Sequence, residues 1–252
     1  MNVGKSTVVG NGTGVRFNPV EYERRAFPKR GGVIVSEREL ADVLELSKGS
    51  PGPYVLEIGI GTGRVLKRLA AENLVVVGVD ADRRMIQHLA KRTHVVGEPT
   101  GERIDLVVAE GQRLPFRENT FGSVVCVRVL RYLHQPQRAV VEMCNLLVPG
   151  GRLVLEFANI LRLQALAQLP QYISKQSLYP RLFRRRDLEH WVTSQRMQIK
   201  DLRGWHKVPP EILSLSDNRV FLGLLSYLEV VLQRILPPEF LSRSLVICAV
   251  KK

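Results

Sequence analysis

The segment YVLEIGIGTG, residues 54–63, joins an apolar run to a turn that is almost free of side chains. The apolar run is typical of a central parallel strand, and residues 64–70 after the turn have helical spacing. Gly59, Gly61 and Gly63 allow the backbone to turn sharply, and they let a ligand lie against main-chain N–H groups at the helix N-terminus. The stretch therefore predicts a strand, a turn and a helix that together bind a nucleotide cofactor.

The spacing of the glycines separates two classes of cofactor. A dinucleotide fingerprint needs a third small residue at position 64, where this chain has Arg64. The pattern is instead E-x-G-x-G-x-G, and it places the carboxylate of Glu57 at the end of the strand, where it can face a cationic ligand group. This pattern resembles the first motif of the class I S-adenosylmethionine-dependent methyltransferases. The resemblance implies that S-adenosylmethionine is bound by the turn residues Glu57, Gly59, Ile60, Gly61, Thr62 and Gly63.

A second buried strand is predicted over residues 74–80, and it ends in Asp80. A carboxylate in this place receives ribose hydroxyls in nucleotide-binding folds. The alternative is that Asp80 only caps the helix that follows it. The resemblance adds Ala81 and Met85 to the expected cofactor site.

Residues 103–109 predict a third strand, and Glu110 follows it directly. In the family that the chain resembles, an acid at this position accepts a hydrogen bond from the adenine amino group, and a Leu-Pro-Phe such as that at residues 114–116 comes after it. The resemblance therefore implies that Glu110 and its neighbour Gly111 hold the adenine.

Residues 121–130 resemble the fourth strand of the family and the exit from it. Val127 and Arg128 at this exit are expected to contact the cofactor. Gly122 stands where the family customarily has Asp. The exit also lacks the Asn/Asp-Pro-Pro-aromatic signature of enzymes that methylate base amino groups, and the motifs of the cytosine C5 enzymes are missing.

A fifth motif, Leu-x-Pro-Gly-Gly at residues 147–151, predicts a tight turn into a fifth strand. Each motif alone has an ordinary structural explanation, but the five occur in the family's order over about residues 54–157. We therefore expect an α/β protein with a Rossmann-like sheet of seven mostly parallel strands, helices on both faces and an antiparallel last strand. The resemblance is to the type that acts on small molecules, as in ubiquinone and menaquinone biosynthesis.

Residues 1–48 are expected to form an N-terminal tail and a helical lid, and residues 49–252 the methyltransferase domain. Ser36 and Glu39 match a capping box that would start the lid helix. Tyr22 and Phe27 either line the pocket or pack on the core. Residues 4–7, GKST, copy the end of a P-loop but lack its earlier glycine and preceding strand, which excludes nucleotide hydrolysis.

The region of about residues 159–238 follows the family pattern loosely and is expected to select the acceptor. Helices are predicted over residues 159–168 and 181–193, and strands over 198–205 and 243–250. Residues 220–236 predict an apolar helix with one polar stripe, formed by Gly223, Ser226, Glu229 and Gln233. Burial against the domain is the favoured reading of this helix. A substrate wall, a dimer face and a contact with a membrane surface are the alternatives.

The formal net charge of +13 exceeds what a small-metabolite enzyme needs. A solvated surface explains it, and so would an anionic substrate, a lipid surface or, less readily, RNA. The three cysteines, Cys126, Cys144 and Cys248, have neither metal nor disulfide spacing and predict buried thiols in a reducing compartment. With no apparent secretory signal, we expect a cytoplasmic protein, peripheral to the membrane at most. The basic clusters comprise Arg24, Arg25, Lys29 and Arg30; Arg83, Arg84, Lys91 and Arg92; and Arg181, Arg184, Arg185 and Arg186.

Methyl transfer from a sulfonium depends mainly on alignment of the acceptor with the methyl carbon, so no catalytic triad is expected. Candidate bases are Tyr132, His134, His190 and His206, and no catalytic residue is assigned among them. The expected function is methyl transfer to a small-molecule or lipid-like acceptor. The alternatives are an RNA or protein methyltransferase and a protein that binds the cofactor without turnover. No metal and no particular oligomer are expected.

Overall fold

A computed structural model of the chain describes residues 18–26, 29–72, 74–94, 103–162, 181–213 and 215–252. The predictions for Phe27, for residues 4–7 and for residues 163–168 lie outside these ranges. So do the side chains of Arg24, Arg25 and Lys29.

The described residues form one sheet of seven strands in the order β3-β2-β1-β4-β5-β7-β6. Strands β1 to β5 are parallel to one another, while β7 runs antiparallel to both of its neighbours, β5 and β6. This arrangement confirms the predicted sheet and its antiparallel last strand. The strands are β1 (Tyr54–Ile58), β2 (Val75–Asp80), β3 (Arg103–Val108), β4 (Phe121–Cys126), β5 (Leu147–Ala158), β6 (Met197–Trp205) and β7 (Ser244–Lys251).

Helices cover both faces of the sheet, as predicted. On one face, Leu46, Leu66 and Leu89 bring three helices into a single buried cluster with the strands. On the other face, Met143 and Leu188 pack from two further helices into a second cluster. The helices are α1 (Pro19–Ala26), α2 (Lys29–Ser47), α3 (Arg64–Ala70), α4 (Arg83–His94), α5 (Pro136–Leu146), α6 (Arg185–Thr193), α7 (Pro210–Leu213) and α8 (Arg219–Ile235).

The Pro-Gly-Gly turn lies inside β5, where it forms an irregularity in the pairing with β4. Phe121 pairs with Leu147 and Ser123 pairs with Arg152, so the four residues 148–151 lie opposite the single residue Gly122. The predicted tight turn is therefore an irregularity within β5, which begins at Leu147 and not after Gly151.

The capping-box prediction for Ser36 and Glu39 is wrong, because α2 begins at Lys29 and both residues lie inside it. The helix extends further toward the N-terminus because Val35 packs with α7 and α8, through Leu213 and Leu222. Ser36 instead binds Arg64. Its hydroxyl and carbonyl oxygens both accept hydrogen bonds from the Arg64 side chain at 3.1 Å.

Residues 159–162 do not begin a helix, so that part of the helix predicted over residues 159–168 is wrong. Asn159 forms a bridge with Phe183, and Arg162 forms one with Leu241. The side-chain amide of Asn159 donates to the carbonyl oxygens of Glu239 and Ser242, at 2.7 and 2.8 Å, and its side-chain oxygen accepts the N–H of Leu161 at 3.0 Å, so the chain turns here instead of starting a helix. The helix and the two strands predicted after residue 180 are confirmed, because α6, β6 and β7 occupy the expected segments. Helix α6 starts only at Arg185.

The polar stripe of α8 suggests that the stripe faces solvent and that the apolar side is buried. In the structure, Glu229 of the stripe faces the protein interior. It is buried, and its carboxylate accepts the backbone N–H groups of Lys207 at 3.1 Å and Val208 at 2.6 Å. The favoured prediction of burial is therefore right only for the face that carries Leu222 and Glu229. The opposite face leaves several large apolar side chains exposed. Across the described residues, no helix has the length and apolar character needed to span a membrane.

A buried carboxylate on α2, that of Glu39, ties this helix to three other parts of the fold. It accepts from Arg64 at the start of α3 at 2.6 Å and from Arg128 beyond β4 at 3.1 Å. The ring of His206, beyond β6, lies 2.9 Å from it. We call these four residues the Glu39 cluster. Burial alone would raise the pKa of Glu39, but the charge of Arg128, the hydrogen bond of His206 and the charge of Arg64 together lower it to about 2.

Replacement of Glu39 by Gln should lower the free energy of unfolding by about 3 kcal/mol near neutral pH, since two partly buried arginines lose their counter-charge. The folded-state pKa of Glu39, about 2, lies below its ordinary value of 4.5. The difference in free energy of unfolding between wild type and variant is therefore complete above pH 4.5 and disappears as the pH falls toward about 2. Urea denaturation near neutral pH and in acid measures both effects. Glu37→Gln, on the exposed side of the same helix, is the control, and an equal loss in both variants would contradict the role of the cluster.

Gly122 stands where the resemblance leads one to expect Asp, and the packing explains the substitution. A Cβ atom at this position would overlap the carbonyl oxygen of Pro51. We expect Gly122→Ala to lower the free energy of unfolding by at least about 2 kcal/mol, because backbone must move to admit the methyl group. Gly223→Ala on α8 meets nothing within 4 Å and should gain about 0.5–1 kcal/mol. Thermal denaturation compares the two variants. Equal stability would contradict the prediction, because it would show that the backbone at Pro51 moves aside at no cost.

Candidate cofactor site

The glycine turn lies where the strand order reverses, between β1 and β4, at the carboxyl ends of both strands. Ligands of open α/β sheets bind in the crevice at such a point. The N–H groups of Gly59 and Ile60 both donate to the carbonyl oxygen of Val79, at 2.7 and 3.1 Å, which holds the turn against β2. Gly59, Gly61 and Gly63 have φ values of 74, 54 and 82°. These left-handed conformations explain the glycines.

Asp80 links the turn to the start of α4. One oxygen of its carboxylate accepts the N–H of Gly61 at 2.9 Å, and the other accepts the N–H of Asp82 at 2.8 Å. Asp82, not Asp80, accepts the N–H of Arg84 in the first turn of the helix. Asp80 therefore does not serve as the simple helix cap considered as the alternative. Burial raises its pKa, and the two backbone hydrogen bonds oppose that shift.

Two adjoining cavities surround the turn, and every predicted cofactor residue lines at least one of them. The first extends over the ends of β2 and β3, and the second lies over the glycine turn and the start of α3. Tyr22 from α1 borders both. Of the predicted residues, the first cavity contains Asp80, Ala81, Met85, Glu110 and Gly111; the second contains Glu57, Ile60, Thr62, Gly63 and Val127; and both contain Gly59, Gly61 and Arg128. The structure thus brings all thirteen together, and their binding of a cofactor stays a prediction.

The Glu57 carboxyl is the most unusual group in the second cavity. The residue is only 3 % exposed, and within the described part of the chain its Oε2 atom has no hydrogen-bond partner. Burial, with a contribution from the charge of Asp80, raises its pKa to about 8, although the charge of Arg64 opposes the shift. A buried carboxyl with an unmet acceptor fits a ligand that brings a cation to this point.

Arg128 lies on the border between the two cavities, with a left-handed backbone at φ 63°. Its N–H donates to Glu156 on β5 at 2.7 Å, and its guanidinium belongs to the Glu39 cluster. Glu156 also accepts from Arg131 at 2.8 Å. Two buried carboxylates therefore fix the backbone and the side chain of Arg128, so that a positive charge stands at the junction of the cavities.

The four candidate bases divide into two pairs. Tyr132 and His134 line the first cavity, and burial raises the pKa of Tyr132. His206 is buried in the Glu39 cluster, and His190 is exposed on α6; neither lines either of the two cavities around the turn. The geometry therefore leaves Tyr132 and His134 as the candidates that can reach a bound acceptor.

Sequence reasoning did not find three features of the site. Gln112, which donates to the Glu110 carboxylate at 3.2 Å, and Leu133 both line the first cavity. The cluster around Glu39 was missed as well, although the arginine at position 64 in place of a small residue was a signal for it. None of the described residues from 181 onward lines either cavity, so selection of the acceptor by residues 159–238 stays a prediction, as does the domain division at residue 48. Among the described residues, no group of three or more His, Cys, Asp or Glu side chains could hold a metal ion.

Comparison with known sequences agrees with this site. A family model described as a methyltransferase domain matches residues 56–155. The ubiquinone/menaquinone biosynthesis C-methyltransferase of Geobacter sulfurreducens is 31% identical over 129 residues, which are 50% of this chain and 50% of that protein. The enzyme of the same name from Hahella chejuensis is 37% identical over 112 residues, 43% of this chain and 44% of the relative. The chain spans about half the length of the relatives it matches.

Solved structures share the fold at lower identity. The magnesium protoporphyrin IX methyltransferase of Synechocystis PCC 6803, with bound S-adenosylhomocysteine, superposes with a TM-score of 0.62 at 16% identity, over 96% of this chain and 90% of that one. A methyltransferase of Thermotoga maritima gives a TM-score of 0.62 at 20% identity, over 92% and 96% of the two chains. The matched segment covers the glycine turn and the parallel strands around it. Residues 56–155 therefore match a methyltransferase domain, and the chain shares its fold with solved methyltransferase structures.

Proposed function

We propose that this protein transfers the methyl group of S-adenosylmethionine to a small, hydrophobic acceptor of the quinone type. One observation carries the proposal. The E-x-G-x-G-x-G turn at the end of β1 leaves a buried, unpartnered carboxyl oxygen of Glu57 in a cavity, inside the segment that matches a methyltransferase domain.

The cofactor would occupy both cavities. Asp80 would accept from the ribose hydroxyls and Glu110 from the adenine amino group, with Met85 packing in the same cavity. At the other end, Glu57 would receive the ammonium group of the amino acid moiety, which supplies the cation that its environment calls for. Bound in this way, the cofactor supplies a methyl group already activated on a sulfonium.

The chain's own residues would align the acceptor and exclude water. Tyr22 is suited to cover the turn, because a Cβ atom on Gly61 would be 3.7 Å from its ring. The fixed charge of Arg128 would stabilise an ionised hydroxyl on the acceptor ring and so increase its nucleophilicity. His134 could accept a proton in the first cavity, whereas Tyr132, whose pKa is raised by burial, would keep its proton and donate a hydrogen bond to the acceptor. Alignment supplies most of the rate effect in such a reaction.

The choice of acceptor rests on the relatives and on the surface of the chain. Two relatives are named for ubiquinone and menaquinone biosynthesis, which favours a hydrophobic ring. RNA remains the less favoured acceptor, because the strand β4 exit, CVRV at residues 126–129, lacks the sequence of base amino methylation. We infer a cytoplasmic protein that meets a lipid-like acceptor at a membrane surface.

Incubation with methyl-labelled S-adenosylmethionine identifies the acceptor. We expect label in the lipid extract when a demethylated quinol with an isoprenoid tail is supplied, and none in transfer RNA or cell protein. Gly61→Val should abolish transfer, since Gly61 has a φ of 54° and a branched side chain would occupy the backbone approach. Label only in RNA or protein would refute the quinone acceptor, and cofactor binding without transfer to any acceptor would indicate a binding protein.

Glu57 gives a second, independent measurement on the cofactor. Its pKa of about 8 leaves it mostly protonated near neutral pH. A ligand ammonium favours the ionised form, so binding of S-adenosylhomocysteine should release up to about one proton, and affinity should rise as the pH approaches 8.

Calorimetry in buffers of different ionisation enthalpy measures the proton release. Glu57→Gln should abolish it and weaken binding, whereas Glu118→Gln, an exposed carboxylate outside both cavities, should change neither. Proton release that persists in Glu57→Gln would remove Glu57 from the ammonium site.

A further inference from the structure

The side of α8 that faces away from the protein is apolar along most of its length. Successive residues of a helix are 100° apart, and on that spacing five exposed side chains of α8 fall within an arc of about 100°. Between the first and the last of them the helix rises about 22 Å. We call this surface the outer face of α8; it consists of Val220, Leu224, Tyr227, Leu228 and Ile235, with 72, 64, 72, 43 and 71 % of their surfaces exposed.

The protein fixes this face outward. Glu229, on the opposite side of the helix, accepts two backbone N–H groups and also the amide of Gln233 at 2.8 Å. Leu222 is buried on the same side, against Val35 of α2. Rolling the helix to bury the outer face would leave two buried N–H groups without their acceptor, which is costly. The exposure is therefore a property of the fold and not of a loosely attached helix.

The exposed charged side chains of α8 itself are of one sign, while Asp217, just before the helix, accepts the backbone N–H of Arg30 at 3.1 Å. The charged residues of α8 are Arg219, Glu229 and Arg234. The single acid is buried, and both arginines are exposed, one near each end and along the same edge of the face. Arg30 of α2 joins Arg219 in lining a groove beside that edge. An apolar strip bordered by cations complements an anionic lipid surface.

We propose that the outer face of α8 binds flat on a membrane that carries anionic lipids. The apolar side chains would enter the interface between headgroups and acyl chains, and Arg219, Arg234 and Arg30 would contact lipid phosphates. A helix with one apolar face and a cationic edge lies in the plane of the interface and does not cross it.

A second copy of the chain fits this surface less well. If two copies paired through antiparallel α8 helices, Arg219 of one would lie beside Arg234 of the other, and like charges would meet. A lipid surface instead supplies the opposite charge.

The surface adds a partner to the proposed function, because a membrane is where a quinone-type acceptor would be found. Helix α8 packs on α2, and α2 carries the Glu39 that fixes Arg128 at the cavities. The docked face is thus joined to the candidate site by two rigid contacts. Binding to vesicles is measured without turnover, so this proposal and the methyl transfer can fail separately.

Co-sedimentation with vesicles tests the proposal. The full chain should bind vesicles that contain phosphatidylglycerol more tightly than vesicles of phosphatidylcholine alone, with a difference that shrinks at high salt. Leu224→Gln with Tyr227→Gln should weaken binding to both kinds by at least about tenfold. Arg219→Gln with Arg234→Gln should lower affinity for the anionic vesicles by about fivefold for each arginine and leave the neutral ones nearly unchanged.

Tyr54→Gln is the matched control, since Tyr54 is 51 % exposed at the start of β1 and lies outside α8. It should bind vesicles like the wild type, and every variant should keep its affinity for S-adenosylhomocysteine, which shows that the fold is intact. The proposal is overturned if the wild type does not bind vesicles, or if the Leu224 and Tyr227 variant binds as well as the wild type. It is also overturned if light scattering shows a dimer that this variant converts to a monomer.

Discussion

One buried carboxylate holds the cofactor side of this protein together. Glu39 accepts from Arg64 and Arg128 and lies beside His206, so a single side chain joins α2 to the start of α3 and to the exits of β4 and β6. Burying charges is expensive, and it is tolerated only where partners and hydrogen bonds compensate. Here the compensation comes from three other parts of the chain. The same contacts that offset the cost of burial therefore also set the relative positions of those parts.

The two buried carboxyl groups near the site, Glu39 and Glu57, differ in how firmly their charge is set. Glu39 remains ionised because cations surround it, and Arg128 is held as its partner. The pKa of Glu57, in contrast, is raised by burial, so its charge would depend on what enters the cavity. On the function we propose, such a site would keep its shape without a ligand and change its charge when a cationic ligand binds. Stable geometry with an adjustable carboxyl is what recognition of a charged cofactor needs.

Much of the cofactor half could be predicted from sequence, because its signals are local. The central strands are buried on both faces and appear as apolar runs, and Gly59, Gly61 and Gly63 mark the turn by their left-handed backbones. The start of α2 and the orientation of α8 could not be predicted in this way. Glu39 meets His206 across 167 residues of sequence, and Glu229 meets Lys207 across 22. A carboxylate at either position looks like a solvated surface group until its distant partner is known.

The position of β7 has a consequence for the order in which the chain can fold during synthesis. Strand β7 lies between β5 and β6, yet it follows both of them in the chain. Strand β6 therefore has no neighbour to pair with until residues 244–251 have been made. The parallel strands around the glycine turn can assemble earlier, from the amino-terminal part of the chain. A chain that lacks β7 would thus expose the edge of β5, which other strands could then pair with. Until β7 is made, a chaperone would have to cover that edge to prevent such pairing.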